Sequence, residues 1–377
     1  MLKTTEGSTG RLIQLCAGYF IFYVITGVTV KFFTGSAQLG YPGMKDMEFL
    51  VYSTIGGNTI CLGAALAFRW YRLQSNGYLH WGSVRFPLEF LYIIPSGVCT
   101  AVVIPTTTLM YMLVPSVMVA MVIMRASVIV ISRTVDAVQI RQGILHKKVY
   151  REENIAVVFA LIAASVNIFW VTEGAFDFVH SLPAVITLSS YIAAYSIRIY
   201  IMNYYKNTRA KGVKLDNNGF FAIEQIAASV VMISAGILLF RSYDLFGWTS
   251  PQITIFRSTF LDTKPDWLWA IFAGTAFGMV AFFSVFIFMF KGRTATFAGL
   301  VNRLTSLMAG TVATLVSYFL FSGKFPSMQD WLSLVFILIA VGFLSIAERK
   351  RSAELLATNE LEPSSLVKSQ RAVVEKD

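Results

Sequence analysis

Charge is what this chain has least of. Only 14% of its 377 residues are Asp, Glu, Lys or Arg, against about 25% in a soluble domain. That excludes a water-soluble enzyme, and the hydrophobic content excludes a disordered chain. Cysteine is scarcer still. Cys16, Cys61 and Cys99 all fall inside apolar stretches with no CxxC pair, so neither a disulfide framework nor a thiolate metal site is indicated. His80, His146 and His180 are scattered, which speaks against zinc and haem. There is no P-loop, HExxH or GxSxG, and no Ser/His or twin-Asp set inside an apolar stretch. No catalytic residue, metal or cofactor is therefore expected.

What is present is apolar. Hydrophobic residues make up 56% of the chain and the mean hydropathy is +0.63. A membrane-crossing helix needs about 20 apolar residues. Ten such segments can be placed, at 12–32, 49–68, 88–112, 114–137, 153–172, 182–203, 219–240, 267–290, 294–321 and 329–347. They are far longer than the strands of about 10 residues in a membrane barrel. No small-residue cleavage site follows the first, so it is expected to be retained. The fold class read from this pattern is an all-α membrane protein with ten transmembrane helices.

The net charge is +10. In a soluble protein it would suggest nucleic acid as a partner; here the cations sit mostly in short loops and act as topology signals. With the N-terminus in the cytoplasm, only Lys31, Lys45, Arg241, Arg257, Lys264 and Lys324 fall outside. The remaining loop and tail cations fall inside. Both termini are thus expected in the cytoplasm, as an even number of spans requires. The expected location is a plasma membrane, in a bacterium the inner one.

Five segments precede the connection at 173–181 and five follow it. An odd number per half inverts the second half relative to the first, the plan of many carriers with a midplane site. The expected organisation is an N-terminal repeat at 1–172, an external linker at 173–181, a C-terminal repeat at 182–347 and a disordered cytoplasmic tail at 348–377. Small residues recur in matching places, Pro95, Ser96, Gly97 and Ala101 in the third segment and Gly274, Thr275, Ala276 and Gly278 in the eighth. Ordinary close packing explains them best. The loop at 242–266 carries Trp248, Phe256 and Phe260, and reads either as a cap on the membrane surface or as an exposed loop.

The stretch from Val114 to Gly143 resembles the fourth helix of the drug/metabolite transporter superfamily (EamA-like), especially its nucleotide-sugar-transporter-like branch. There a Met-Leu-Arg-Gly-Ser run leads into a basic loop. Met124, Arg125, Ser127, Val128, Ile129 and Val130 match, while Ala126 replaces the glycine. The ten-segment layout and the short turns after the third and eighth segments are also similar, over residues 12–347. The resemblance implies a secondary carrier without ATPase or covalent chemistry, and names no substrate.

Charges at membrane depth cost about 2.5–3.5 kcal/mol on insertion scales. Arg125 and Arg303 lie about 16 Å and 14 Å into the fourth and ninth segments, counted at 1.5 Å per residue. Inverted repeats would bring them to similar depth across a cavity. Neither has an acidic residue three or four positions away in its own helix, and a guanidinium fork matches carboxylate or phosphate. An anion site completed by substrate is the favoured reading; interhelical ion pairs holding the bundle are the alternative. Ser127, Asn302, Thr305 and Ser306 flank the arginines, and Tyr191, Tyr195 and Asn167 offer polar tips on apolar bodies. Arg198 and Glu224 fall at similar depth in a hairpin and are expected to form a structural ion pair. Gly56, Gly57 and Asn58 read as a packing notch, with a hinge as the alternative.

The function expected is secondary-active or exchange transport of a small anionic metabolite by alternating access. The alternatives are a lipid or polyprenyl-phosphate flippase and a non-transporting membrane scaffold. Expected partners are the solute and membrane lipid, with a homodimer left open and nucleic acid excluded.

Overall fold

The computed structural model describes residues 7–81, 84–114, 117–166, 168, 177–210, 212–321 and 325–357. Asn167, residues 173–176 of the expected linker and the tail from 358 lie outside the described residues. Among the described residues eleven α-helices follow one another: α1 (Thr9–Phe33), α2 (Asp46–Ala67), α3 (Phe90–Leu113), α4 (Val117–Arg141), α5 (Arg151–Ser165), α6 (Leu182–Asn207), α7 (Asn217–Phe246), α8 (Pro251–Leu261), α9 (Trp267–Phe288), α10 (Ala295–Phe321) and α11 (Met328–Ala357). Eight of them are long and apolar enough to cross a membrane: α1, α2, α3, α6, α7, α9, α10 and α11. α5 has 15 residues, and α4 carries Arg125, Arg133, Asp136 and Arg141. Their outer faces are greasy: Ile21, Ile233, Ile237, Phe272, Phe319 and Leu338 are all more than half exposed. So much apolar surface is at home only in lipid, and the chain is a multi-pass membrane protein.

Three features were not expected. The tail stretch 348–357 continues α11 as helix, with Arg351 and Leu355 buried. Its charged spacing hides the fact that both side chains fall on the packed face. A short hairpin, β1 (Tyr78–Trp81) with β2 (Val84–Pro87), joins α2 to α3 and pairs Tyr78 with Pro87. The aromatic loop at 242–266 contains α8, which is docked: Tyr52 donates to the Thr259 carbonyl at 2.8 Å, and Arg257 pairs with Asp244 at 3.0 Å.

Six helices form two triplets. One is α3, α4 and α6; the other is α1, α9 and α10. The triplets meet chiefly along α4 and α10, with a smaller contact between α6 and α9. Across them run three closely packed pairs, α2 with α9, α3 with α7, and α5 with α11. Glycine sets the first. A Cβ on Gly56 would lie 1.8 Å from the Ile271 carbonyl oxygen, and one on Gly274 would lie 2.2 Å from the Ser53 oxygen. The glycine notch is therefore a backbone contact. Gly56→Ala is expected to force α2 off α9 at a cost of about 1–3 kcal/mol. Gly63→Ala in the same helix, where nothing lies within 4 Å, is the control. Melting curves in detergent that do not separate the two variants would refute this.

Several loop cations do more than mark topology. Arg293 grips Glu348 with Nε and Nη2, the former at 3.1 Å, and is itself buried. Arg351 approaches Glu153 at 3.7 Å and also binds Glu354 at 2.7 Å. Arg209 reaches Glu89 at 2.7 Å. Thr9 at the start of α1 donates to Glu348 near the end of α11 at 2.9 Å. The first and last helices therefore finish at the same end of the bundle, termed here the terminal end.

Glu89, just before α3, also accepts from Ser75 Oγ and from the Asn76 amide at 2.6 Å. Burial alone would raise its pKa. The hydrogen bonds from Ser75, Asn76 and Arg209 outweigh burial and hold the carboxyl below its ordinary 4.5. A folded pKa below the unfolded one contributes stability that is present above the unfolded value and lost as pH falls through the folded one. The melting temperature should therefore drop on acidification below about pH 4.5, and Glu89→Gln should flatten that acid limb. An identical acid limb in the variant would show that Glu89 is not its source.

Candidate functional site

The junction between the triplets is closed at the terminal end. There Asp136 of α4 caps the amino terminus of α10. Oδ1 accepts from the Ala295 amide at 2.8 Å, and Oδ2 from the Thr296 amide at 2.7 Å and its hydroxyl at 2.5 Å. The first turn of a helix leaves its amides without intrahelical acceptors and carries partial positive charge, so a buried carboxylate is well placed. Thr294 donates to Glu153 of α5 at 2.7 Å. One turn further along, Gly299 lies so close to Ser132 that a Cβ would meet its Oγ at 2.2 Å.

Away from this seal, polar side chains line the junction. Arg303 of α10 stacks its guanidinium over the Tyr195 ring of α6, 5.3 Å from the centroid. Its Nε and Nη2 are buried without a hydrogen-bond partner. The ionisable groups that act on it most strongly are Tyr195, Tyr191, Tyr19 and Tyr23. Arg125 of α4 points Nη2 to within 3.8 Å of where a Cβ on Gly310 would lie. Gly310 is seven residues, two turns, beyond Arg303 and so on the same face of α10. Both guanidinium charges act on Tyr19. Among the described residues Arg125 makes no hydrogen bond or ion pair.

The tyrosines come as two pairs at one-turn spacing. Tyr19 and Tyr23 of α1 have ring centroids 5.5 Å apart, and Tyr191 and Tyr195 of α6 are 4.9 Å apart. Tyr191 donates to the Met124 carbonyl beside Arg125 at 3.4 Å. Tyr19 donates to Asn302 Oδ1 at 3.4 Å, and Asn302 Nδ2 in turn donates to Ser284 at 2.9 Å.

The expected site residues therefore divide. Arg125, Arg303 and Tyr191 come together at the junction between the triplets, and Asn302 stands behind Tyr19. Ser127 and Thr305 do not join them. Each stands two residues from its arginine, about 200° round the helix. Ser127 Oγ bonds the Met124 carbonyl at 3.0 Å, and Thr305 lines an apolar groove of ≈ 610 Å³ between α1, α10 and α11. Ser306 bonds the Arg303 carbonyl. The arginines are also not at one depth. Arg125 sits on the far side of the helix midpoints from the terminal end, Arg303 on the near side, roughly two turns apart along α10. Measuring each depth from its own helix start, at opposite ends of the bundle, conceals that offset.

Arg198 and Glu224 form a two-point ion pair, both contacts at 2.9 Å, with Ser96 Oγ adding a third hydrogen bond at 2.6 Å. Asn58 accepts from Gln225 at 2.8 Å. Both clusters are internally satisfied, and Arg198 stands one turn along α6 from Tyr195. Tyr19, Tyr23 and Asp136 were the residues missed. A Tyr-x-x-x-Tyr step in an otherwise apolar first segment was the available signal, since it repeats in the sixth. Asp136 carried none, because its partner is a helix terminus and not a side chain.

No family model and no curated protein matches the chain. Among solved structures, 26 chains match. One, described only as a crystal structure of a protein, covers 91% of this chain and 99% of its own length with a TM-score of 0.53 and 11% identity. Likeness at that identity speaks for the fold alone.

Proposed function

We propose that the protein is a ten-span carrier of the drug/metabolite type that moves a small anionic solute by alternating access. The observation that carries this reading is Arg303, whose Nε and Nη2 are buried without a hydrogen-bond partner, together with a second arginine, Arg125, that makes no ion pair among the described residues at the same junction between two helix triplets. A charge with no protein partner at that depth calls for a partner that comes and goes.

The inverted-repeat plan is supported by the packing. Exchange the first five long helices for the second five, so that α1 maps to α6, α2 to α7, α3 to α9, α4 to α10 and α5 to α11. Every main helix contact then maps onto another: α2–α9 onto α7–α3, α3–α6 onto α9–α1, α1–α10 onto α6–α4, and α4–α10 onto itself. The site follows the same exchange. Arg125 is eight residues into α4 and Arg303 eight into α10. Tyr191 and Tyr195 are nine and thirteen into α6, Tyr19 and Tyr23 ten and fourteen into α1. The common end of α1 and α11 supports an even number of crossings, and the cation-rich loops place that end in the cytoplasm. α4 and α5 then count as spans shielded by their neighbours.

On this reading the seal beneath the arginines closes the cytoplasmic side. The groove at Thr305 meets α10 on the side opposite Arg303, so it offers a lipid no lateral route to the arginines, which weighs against the flippase reading. Among the described residues no carboxylate or histidine bonds either arginine, and on this reading exchange is expected to need no proton gradient. The test is uptake of labelled organic anions into vesicles with defined contents. Preloading with unlabelled anion should accelerate uptake, and dissipating a pH gradient should leave it unchanged. Uptake that follows the pH gradient and vanishes in Glu224→Gln would overturn the exchange mechanism.

A further inference from the structure

The junction between the triplets has an excess of one kind of group. Arg125 and Arg303 bring ten N–H donors and two positive charges. The hydroxyls of Tyr23 and Tyr195 make no hydrogen bond among the described residues, and add two more donors. Against these, Nε and Nη2 of Arg303 find no acceptor, and neither arginine forms an ion pair among the described residues. The other buried charges are satisfied elsewhere: Arg198 by Glu224, Arg293 by Glu348, and Asp136 by α10. The empty site therefore holds two charges that nothing in the described protein neutralises.

We infer that the ligand is an organic oxyanion carrying two negative charges, a phosphate monoester or a dicarboxylate, with one charge answered by Arg125 and the other by Arg303. The inference rests on the carrier reading but concerns equilibrium binding. A monoanion would leave one guanidinium without a counter-charge, and a zwitterion would bring a third cation to the junction. A dianion neutralises the site and supplies acceptors for its donors. The symmetry of the site adds a reason. Each half contributes one arginine and one tyrosine pair, so a ligand with two anionic groups meets each half with the same chemistry.

The experiment is equilibrium binding to the purified full chain, read as a shift in melting temperature at constant ionic strength. Succinate is compared with butyrate, which has the same carbon count and one charge fewer. Methyl phosphate is compared at pH 8, where it is a dianion, and at pH 5, where it carries one charge. The dianion should bind at least ten-fold more tightly in each comparison. In Arg125→Gln and in Arg303→Gln, succinate and butyrate should bind alike. Arg125→Lys and Arg303→Lys keep the charge and lose the fork, and should retain the dianion preference at lower affinity; they serve where a glutamine variant does not fold.

Equal binding of succinate and butyrate by the wild type overturns the inference while leaving an anion carrier standing. So does an unchanged succinate-to-butyrate ratio in the glutamine variants. If the folded protein binds none of these anions, the inference and the anionic substrate of the carrier reading fall together.

Discussion

Replacing Arg303 with methionine is expected to stabilise the empty protein and to abolish transport. The two effects share a cause. A buried guanidinium whose Nε and Nη2 lack acceptors carries an unrecovered desolvation penalty of about 1–3 kcal/mol. Stacking on Tyr195 returns part of it. Methionine fills similar space without a charge, so the melting temperature should rise by a few degrees in detergent. Uptake should meanwhile fall by roughly 10- to 150-fold, the affinity lost with one charge-assisted contact. Arg303→Ala and Arg125→Ala should lose uptake likewise while still reaching the membrane. A structural arginine would behave in the opposite way, with stability falling first. Melting and uptake measured on one preparation of Arg303→Met decide the matter, and a destabilised variant with normal uptake would refute the site.

Asp136→Asn is expected to open the terminal end. The carboxylate accepts three hydrogen bonds from Ala295 and Thr296. An asparagine there presents its NH2 to a backbone amide, donor against donor. The loss should be about 1.5–3 kcal/mol, which shifts an equilibrium between closed and open forms by roughly 10- to 150-fold. The readout is a cysteine at Ser132, which is fully buried under Gly299. A membrane-impermeant thiol reagent on the cytoplasmic side should label it at least ten times faster in the Asp136→Asn background, after subtracting labelling of Cys16, Cys61 and Cys99. Thr296→Val removes one of the three bonds and should give an intermediate rate. Labelling indifferent to both changes would show that the cap does not hold the end closed.

Hydropathy alone located the long helices to within a few residues for most of their ends, because a lipid-facing helix must be apolar along its whole length. The ends of α5 and α7 differ by six or seven residues, and α11 departs furthest. Its last turns leave the lipid and pack through Arg351 and Leu355, so their polarity looked like a tail. α8 and the β hairpin escaped because both are short and lie outside the apolar runs. Arg125 and Arg303 stood out as charges where charge is expensive. Their different depths did not, since depth was counted from helix starts at opposite ends of the bundle. Asn302 was visible as a polar residue in an apolar run, but its role behind Tyr19 depends on α1, distant in sequence. The ion pairs of Arg293, Arg209 and Arg351 were hidden among cations that any topology rule would assign to loops.

The cap at Asp136 has a counterpart that is chemically unequal to it. Asp136 stands nineteen residues into α4, and the residue nineteen into α10 is Thr314, whose hydroxyl bonds Lys31 of α1 at 2.8 Å. Ser132 likewise corresponds to Gly310, and Gly299 to Met121. In a carrier whose halves exchange roles, the opposite closure would press Met121 onto Gly310 and offer the α4 terminus a neutral hydroxyl in place of a carboxylate. That latch is the weaker one. On the carrier reading, with the terminal end in the cytoplasm, the unloaded form should wait facing outward and its slow step should be the turn toward the cytoplasm. Such a bias cannot pump, because detailed balance leaves the final solute distribution untouched. It makes the half-saturating concentration differ between the two faces of the membrane, so a facilitator built this way responds to solute on one side long before it responds to the other.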